Sequence, residues 1–292
     1  MESNGFDKLF TKTRPHILEM ICLSLDFESF KKCLKVSRAW SGVLTRKVFL
    51  TKVKLVFSKD IILDEMTLRK MSREGDTHGV QRILSSGLVN VDCDDGIYTP
   101  LILAAIMGHL EIMRLLINAG ANVNWCGPTD LGKEYNLKRL SPLIKATFYN
   151  EIEAVKLLID AGAYIDQADS IGRIPLQHAV IAGCVDVINL LLDYGADINS
   201  ADQDGTTSLI LALSGWQYLA SDIVKLLIKR GADLEKADED GETPLIKAVR
   251  YDMPEMVKLF IANGASLTHD AGGGTPFGLA FENVNEQGES YS

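Results

Sequence analysis

The chain has 292 residues, of which 47 % are hydrophobic and 24 % charged, a composition that argues against disorder over most of its length. Its net charge of -9 divides unevenly: residues 1–60 hold 12 Lys and Arg against 6 Asp and Glu, while the remainder holds 18 against 33. Two modules with different partners are expected from that opposition, and with no run of eighteen apolar residues no helical membrane span is expected.

The opening segment, "MESNGFDKLFTKTRP", has no apolar stretch of the kind that follows a basic start in a secretory signal, so no signal is expected. Cys22, Cys33, Cys93, Cys126 and Cys184 are odd in number, scattered and never in C-x-x-C spacing. They predict free thiols in a reducing compartment, cytoplasmic or nuclear, with neither a disulfide framework nor a zinc site.

Residues 10–57 form the first predicted module. Pro15 precedes a helical pattern with Leu18, Ile21 and Leu25 on one side, and "DFE" at 26–28 interrupts it. A second pattern carries Phe30, Leu34, Val36, Trp40 and Leu44 on a basic, amphipathic segment. So short a module cannot build a large core alone, so its apolar faces must meet something else. One candidate is the first unit of the array that follows, with the helices as an N-terminal cap.

The order "P-x-I-L-x-x-I-x-x-x-L-D-x-x-S-F-x-x-C-L-x-V-S-R-x-W" resembles the F-box, most strongly at Val36, Ser37, Arg38 and Trp40. Thr13 and Arg14 stand where that family opens with Leu-Pro, and Pro15 comes one place later. The resemblance implies docking onto the acidic Skp adaptor, and through it onto a cullin-based ubiquitin ligase. Pro15, Leu18, Ile21, Leu25, Leu34, Val36 and Trp40 would make that interface. Neither nucleic acid nor membrane is expected as a partner, and outside such a complex the chain is expected to be a monomer.

After a linker at 58–63 the sequence becomes periodic. A T-P-L-like step recurs with its Pro or Ser at Pro100, Pro142, Pro175, Ser208, Pro244 and Pro276. A G-A step recurs at Gly120, Gly162, Gly195, Gly231 and Gly264. From step to glycine is 20 residues in four units and 23 in the fourth; from glycine to the next step is 13 in three cases, 12 in the last and 22 after Gly120. The basic period is therefore 33, and 64–96 fits it as a worn first unit in which Thr67, Gly75 and Gly87 take the framing positions.

Each unit explains itself physically. Thr caps a helix and Pro is tolerated in its first turn. Ala104 and Ala105 are small where neighbouring helices must approach. A glycine ends that helix, a second helix carries Ile112, Leu115 and Leu116 on one face, and Gly120 suits the left-handed position that closes it. An Asp/Asn-rich stretch with D-G then turns back. Helix, turn, helix and hairpin in 33 residues resembles the ankyrin repeat. The slot of that family's T-P-L-H histidine holds Ile102, Ile144, Gln177, Ile210 and Ile246. The expected architecture is all-α: the helical module at 10–57, then an ankyrin solenoid over 64–292, with full repeats to about 272 and a truncated C-terminal cap at 273–292.

The ankyrin resemblance implies that partners meet the hairpin tips and the pair just before each helix-breaking residue. Those pairs are Ile106 with Met107, Phe148 with Tyr149, Ile181 with Ala182, and Arg250 with Tyr251. The three-residue insertion in "SGWQYLASD" adds Trp216 and Tyr218, and the nine-residue insertion in "NWCGPTDLGKEYNLKRL" adds Trp125 and Tyr135. Aromatic side chains and Arg are what interface centres favour. The tips "DCDDG", "DQDG" and "DEDG" are acidic, which suggests a basic or mixed partner segment.

No chemistry-bearing motif emerges. In "DCDDG" the Gly comes one place too early for a calcium loop and Pro100 follows too soon. "GGGTP" lacks the Lys of a phosphate-binding loop. No His pairs with a Cys or an acid at ligand or triad spacing; His178 and Cys184, six apart, do not share a helix face. The expectation is a non-catalytic protein without metal or cofactor. The leading reading is the substrate-recognition subunit of a Skp-cullin-F-box ligase, with an unidentified target on the ankyrin groove. The alternative is an ankyrin scaffold or inhibitor with no ligase association.

Overall fold

A computed structural model describes residues 64–87, 89–127, 140–214, 217–268 and 274–279. The expected F-box-like module at 10–57 and the linker at 58–63 lie outside the described residues, as do 128–139 of the long insertion and the tail from 280. The described chain is helical, with no strand.

Six helix pairs follow one another. They are α1 (Glu65–Glu74) with α2 (Thr77–Ser86), α3 (Pro100–Ile106) with α4 (Leu110–Asn118), and α5 (Pro142–Phe148) with α6 (Ile152–Asp160). Then come α7 (Pro175–Ala182) with α8 (Val185–Asp193), α9 (Ser208–Ser214) with α10 (Gln217–Lys229), and α11 (Pro244–Arg250) with α12 (Pro254–Ala262). A last helical turn at 276–279 begins a seventh unit, its Pro276 buried.

The first helices start where the sequence says they should. The hydroxyls of Thr99, Ser141, Thr207 and Thr243 each accept the amide three residues on, at 3.3 Å. Before α7 Ile174 has no hydroxyl, and the Gln177 side chain reaches back to the Ile174 amide instead, at 3.0 Å. The worn first unit differs. Without a proline to fix the start, α1 begins at Glu65, two places before Thr67, and Asp64 caps it through the Thr67 amide at 2.6 Å. The isolated bridge between Ala201 and Thr207 falls in the one unit where Ser208 replaces proline and keeps an amide N–H.

Apolar positions repeat with the period and meet between units. Leu101, Ala104, Ile112 and Leu116 are fully buried, and their counterparts Leu143, Ala146, Ala154 and Leu158 continue the same core one unit on. Successive first helices pack on one another from α1 to α11, and successive second helices from α2 to α8. The first helices approach more closely than the second, because the recurring Ala104, Ala146, Ala179, Ala212 and Ala248 keep their backbones near. The first helices therefore line one side of the stack, the side that the ankyrin resemblance makes the inner, concave one.

The tips stack as well. The Gln203 amide donates to the Ile171 carbonyl and the Glu239 amide to the Asp204 carbonyl, both at 3.0 Å. This brings Glu239 over Gly205, where a Cβ would stand 2.8 Å from the Glu239 nitrogen, and Gly205 also has φ of 72°. Gly195 shares the positive φ, at 87°, but has open space around it. Gly195→Ala should thus cost only the left-handed backbone term, roughly 1 kcal/mol. Gly205→Ala should cost about 1–3 kcal/mol more, since a tip must also separate from its neighbour. Urea unfolding of the two variants side by side measures the difference.

Candidate protein-binding face

The pair that precedes each helix break lies at the C-terminal end of a first helix, on the inner side of the stack. Met107, Phe148, Tyr149, Ile181, Arg250 and Tyr251 are all exposed there, while Ile106 and Ala182 are half-buried. Phe148, Tyr149 and Tyr251 each keep about half of their surface in water, at 49 %, 50 % and 48 %. They do not pack as core against the neighbouring first helices. Gly108 and Gly183 end their helices at positive φ, and Asn150 (φ 58°) and Asp252 (φ 51°) take over the same role, so the preceding pair is aimed alike in each unit.

Local contacts hold several of these side chains. The Phe148 and Tyr149 rings meet edge to face, with centroids 5.6 Å apart. Arg250 pairs through Nη2 with Glu242 Oε1. Trp125 is half-buried in the loop after α4. Tyr135 and Trp216 lie outside the described residues. The three-residue insertion does not lengthen a loop alone: it extends the second helix, and α10 has 13 residues where α4, α6, α8 and α12 have 9. Tyr218 falls in the first turn of α10.

An open groove of roughly 890 Å³ occupies the N-terminal end of this face. One wall is α1, with Met66, Arg69, Lys70 and Arg73; the floor is Leu103, Ile106 and Met107 of α3; Tyr98 and Tyr149 close the other side. Lys145 Nζ lies 5.2 Å from the centre of the Tyr98 ring, and burial lowers the Lys145 pKa against a smaller opposing pull from Tyr149. The part played by α1 escaped the repeat frame, because the first unit lacks the T-P-L step. The signal that could have found it is the run Met66, Arg69, Lys70, Arg73 at i, i+3, i+4 and i+7.

The tips use their acids internally. Asp95 Oδ1 accepts the amides of Ile97 and Tyr98, at 3.1 and 2.8 Å. Asp202 Oδ1 accepts those of Asp204 and Thr206, while its Oδ2 takes Arg173 Nε at 2.9 Å. The expected basic partner segment thus loses much of its support, since many tip carboxylates are already engaged.

Two buried polar clusters were not foreseen. His178 Nε2 lies 2.9 Å from Asp169 Oδ2, so a histidine does pair with an acid, nine residues away across a turn and a helix start. Burial raises the Asp169 pKa, but the His178 contact and the amides of Arg173 and Ile171 outweigh it and leave the carboxyl below its ordinary value. The pair is sealed inside, and the Cys184 thiol is itself pushed up by burial. Cys93 is pushed up further, to about 12, by burial and by Glu65. Neither thiol is poised as a nucleophile. Among the described residues no three His, Cys, Asp or Glu side chains group as metal ligands, and no helix is long and apolar enough to cross a membrane.

The second cluster centres on Lys247, whose Nζ lies 2.7 Å from Asp238 Oδ2 and 2.8 Å from Glu242 Oε2. Burial works against its charge, yet the hydrogen bonds to Asp238 and Glu242 prevail and raise its pKa to about 12. A folded value above the unfolded one means a contribution present in full at neutral pH and lost as pH climbs through about 12. Lys247→Met leaves enclosed Asp238 without a cation, while Glu242 keeps Arg250. It should cost about 2–3 kcal/mol at neutral pH, less than a deeper pair because the cluster reaches the surface. The variant should also lack the alkaline loss of stability; urea midpoints measured from neutral to strongly alkaline pH test both.

Comparison with known families bears on the array alone. A model of three ankyrin repeats matches residues 126–202, 143–238 and 209–288, and a model of the single ankyrin repeat matches residues 98–127. No F-box model is among the matches. A search of curated proteins gives no match.

Proposed function

The chain belongs to the ankyrin-repeat family, and from that premise we propose that it is a non-catalytic adaptor that captures a target protein along its concave face and presents it to a second protein held by its N-terminal module. Ankyrin repeats make the array a protein–protein interaction scaffold. The observation that carries the reading is the row of exposed Met107, Phe148, Tyr149, Ile181 and Tyr251 on one face of an otherwise acidic array. Exposed aromatic and aliphatic side chains recurring along one face mark a binding surface rather than solvent-facing filler.

The finer reading assigns the second protein. Residues 10–57 carry the Val36, Ser37, Arg38, Trp40 core that resembles an F-box, so the module docks a Skp-type adaptor and, through it, a cullin-based ligase in the cytoplasm or nucleus. Such a protein works by proximity: it raises the local concentration of a target lysine near a charged conjugating enzyme, and no residue of this chain does covalent chemistry. The plain ankyrin scaffold remains the competing reading, favoured by family matches that fall on the repeats alone.

Co-expression with a Skp adaptor separates them. The ligase reading expects co-elution that Trp40→Asp abolishes while the helical circular dichroism of the array persists. Absence of co-elution from the wild-type chain leaves the scaffold reading; unfolding of the whole chain by the substitution makes the N-terminal helices a cap. For the other surface, Tyr149→Ala with Tyr251→Ala should leave adaptor binding intact and lose the proteins that the wild-type chain retains in a quantitative pull-down. Equal recovery by both would remove the concave row from the binding site.

A further inference from the structure

The groove at the N-terminal end of the concave face has a charge that its surroundings lack. Beyond residue 60 the chain holds 18 Lys and Arg against 33 Asp and Glu. Yet α1 turns Arg69, Lys70 and Arg73, with the single acid Glu74, along one wall of the groove. Lys70 is matched by Glu74 at 3.9 Å, an exposed pair one turn apart that contributes little. Neither Arg69 nor Arg73 has an ion-pair partner among the described residues. The one tip acid on the lining, Asp95, is engaged by the amides of its own turn.

Beneath that wall the floor is apolar, built from Leu103, Ile106 and Met107. A cationic wall over an apolar floor selects a ligand with both characters. Arg69 and Arg73 stand one helical turn apart, about 6 Å along the axis. Carboxylates two residues apart on an extended segment are spaced by roughly 6.6 Å, which matches. Guanidinium groups also take carboxylates in paired hydrogen bonds, which gives orientation as well as attraction.

We infer that this groove is the docking site for an acidic segment of a partner protein, in which two carboxylates meet Arg69 and Arg73 and a bulky apolar side chain rests on Leu103, Ile106 and Met107. The inference rests on the concave-face capture proposed above and adds the chemistry of what is captured. It reverses the basic partner that the tip sequences suggest. The chain's own residues 10–57 are a poor occupant, since they hold 10 Lys and Arg against 3 Asp and Glu and would bring like charge to the wall.

The test pans a random peptide display library against the full chain, with Arg69→Glu/Arg73→Glu, Tyr194→Ala and Tyr251→Ala as parallel baits of verified fold by thermal melt. The wild-type chain should enrich peptides with paired Asp or Glu beside Leu, Phe or Trp. A synthetic peptide of that sequence should weaken roughly tenfold or more on the charge-reversed variant and weaken in high salt, but bind Tyr194→Ala, a variant at the exposed end of α8 outside the groove, as well as wild type. Enrichment of basic or uncharged peptides, no enrichment, or acidic peptides that bind the charge-reversed protein equally well would overturn the inference. Peptides that need Tyr251 and not the two arginines would overturn it while leaving concave-face capture standing. Chemical cross-links from Lys70 into residues 10–57 would name the chain's own segment as the occupant, and would overturn it too.

Discussion

No unit of this chain can bury its apolar surface alone, and that single constraint organises the molecule. Each helix pair has buried side chains on two sides, as Leu101, Ala104, Ile112 and Leu116 illustrate, so each requires a neighbour before and after it. The array is consequently held by contacts between adjacent units, and recurring alanines let its first helices approach closely. The exposed row is a product of that stacking. Met107, Phe148, Tyr149, Ile181 and Tyr251 gather on one face because equivalent positions in successive units are turned the same way by the same helix-ending conformation.

Charge follows the same division of labour. The chain is acidic overall, but many of its acids are structural. Asp95, Asp169, Asp202 and Asp238 all close their own turns, and three of them also hold a cationic or histidine side chain. Their desolvation is offset by amide donors at short range, which costs no flexible side chain its freedom. Among the described residues Arg69 and Arg73 of α1 have no ion-pair partner. A cation left without an ion-pair partner beside an apolar floor is a different object from a carboxylate saturated by its own backbone, although a count of charges treats the two alike.

Much of this was legible from the sequence because a repeat carries its own ruler. The 33-residue frame located the helix starts at Pro100, Pro142, Pro175, Ser208 and Pro244, and the ankyrin resemblance built on it pointed to Phe148, Tyr149 and Tyr251 as exposed, where a single helix read alone would have left core and surface undecided. It failed where the frame itself was worn. Without a proline, α1 began at Glu65 under an Asp64 cap, and its wall of the groove went unseen. It also could not reach the His178–Asp169 pair or the Lys247 cluster, because spacing rules test residues on one helix, and these contacts join a turn to the helix after it. The insertion before α10 shows a third limit: added residues resemble a longer loop in sequence, but an amphipathic stretch with good helix formers lengthens the helix it adjoins.

The two halves of the proposed function have unequal physical requirements. Binding on the concave face requires only that side chains be aimed and exposed, and a stack of short-range contacts supplies this without any one residue being indispensable. Presenting a captured protein to an enzyme requires more, since a tether raises effective concentration only if its span matches the distance to be bridged. A rigid array serves that purpose better than a flexible linker of equal length, because its units fix the separation between the first groove and the last exposed tyrosine. The stacking that buries each unit's apolar face therefore also sets the geometry at which a partner at one end and a partner along the face can meet.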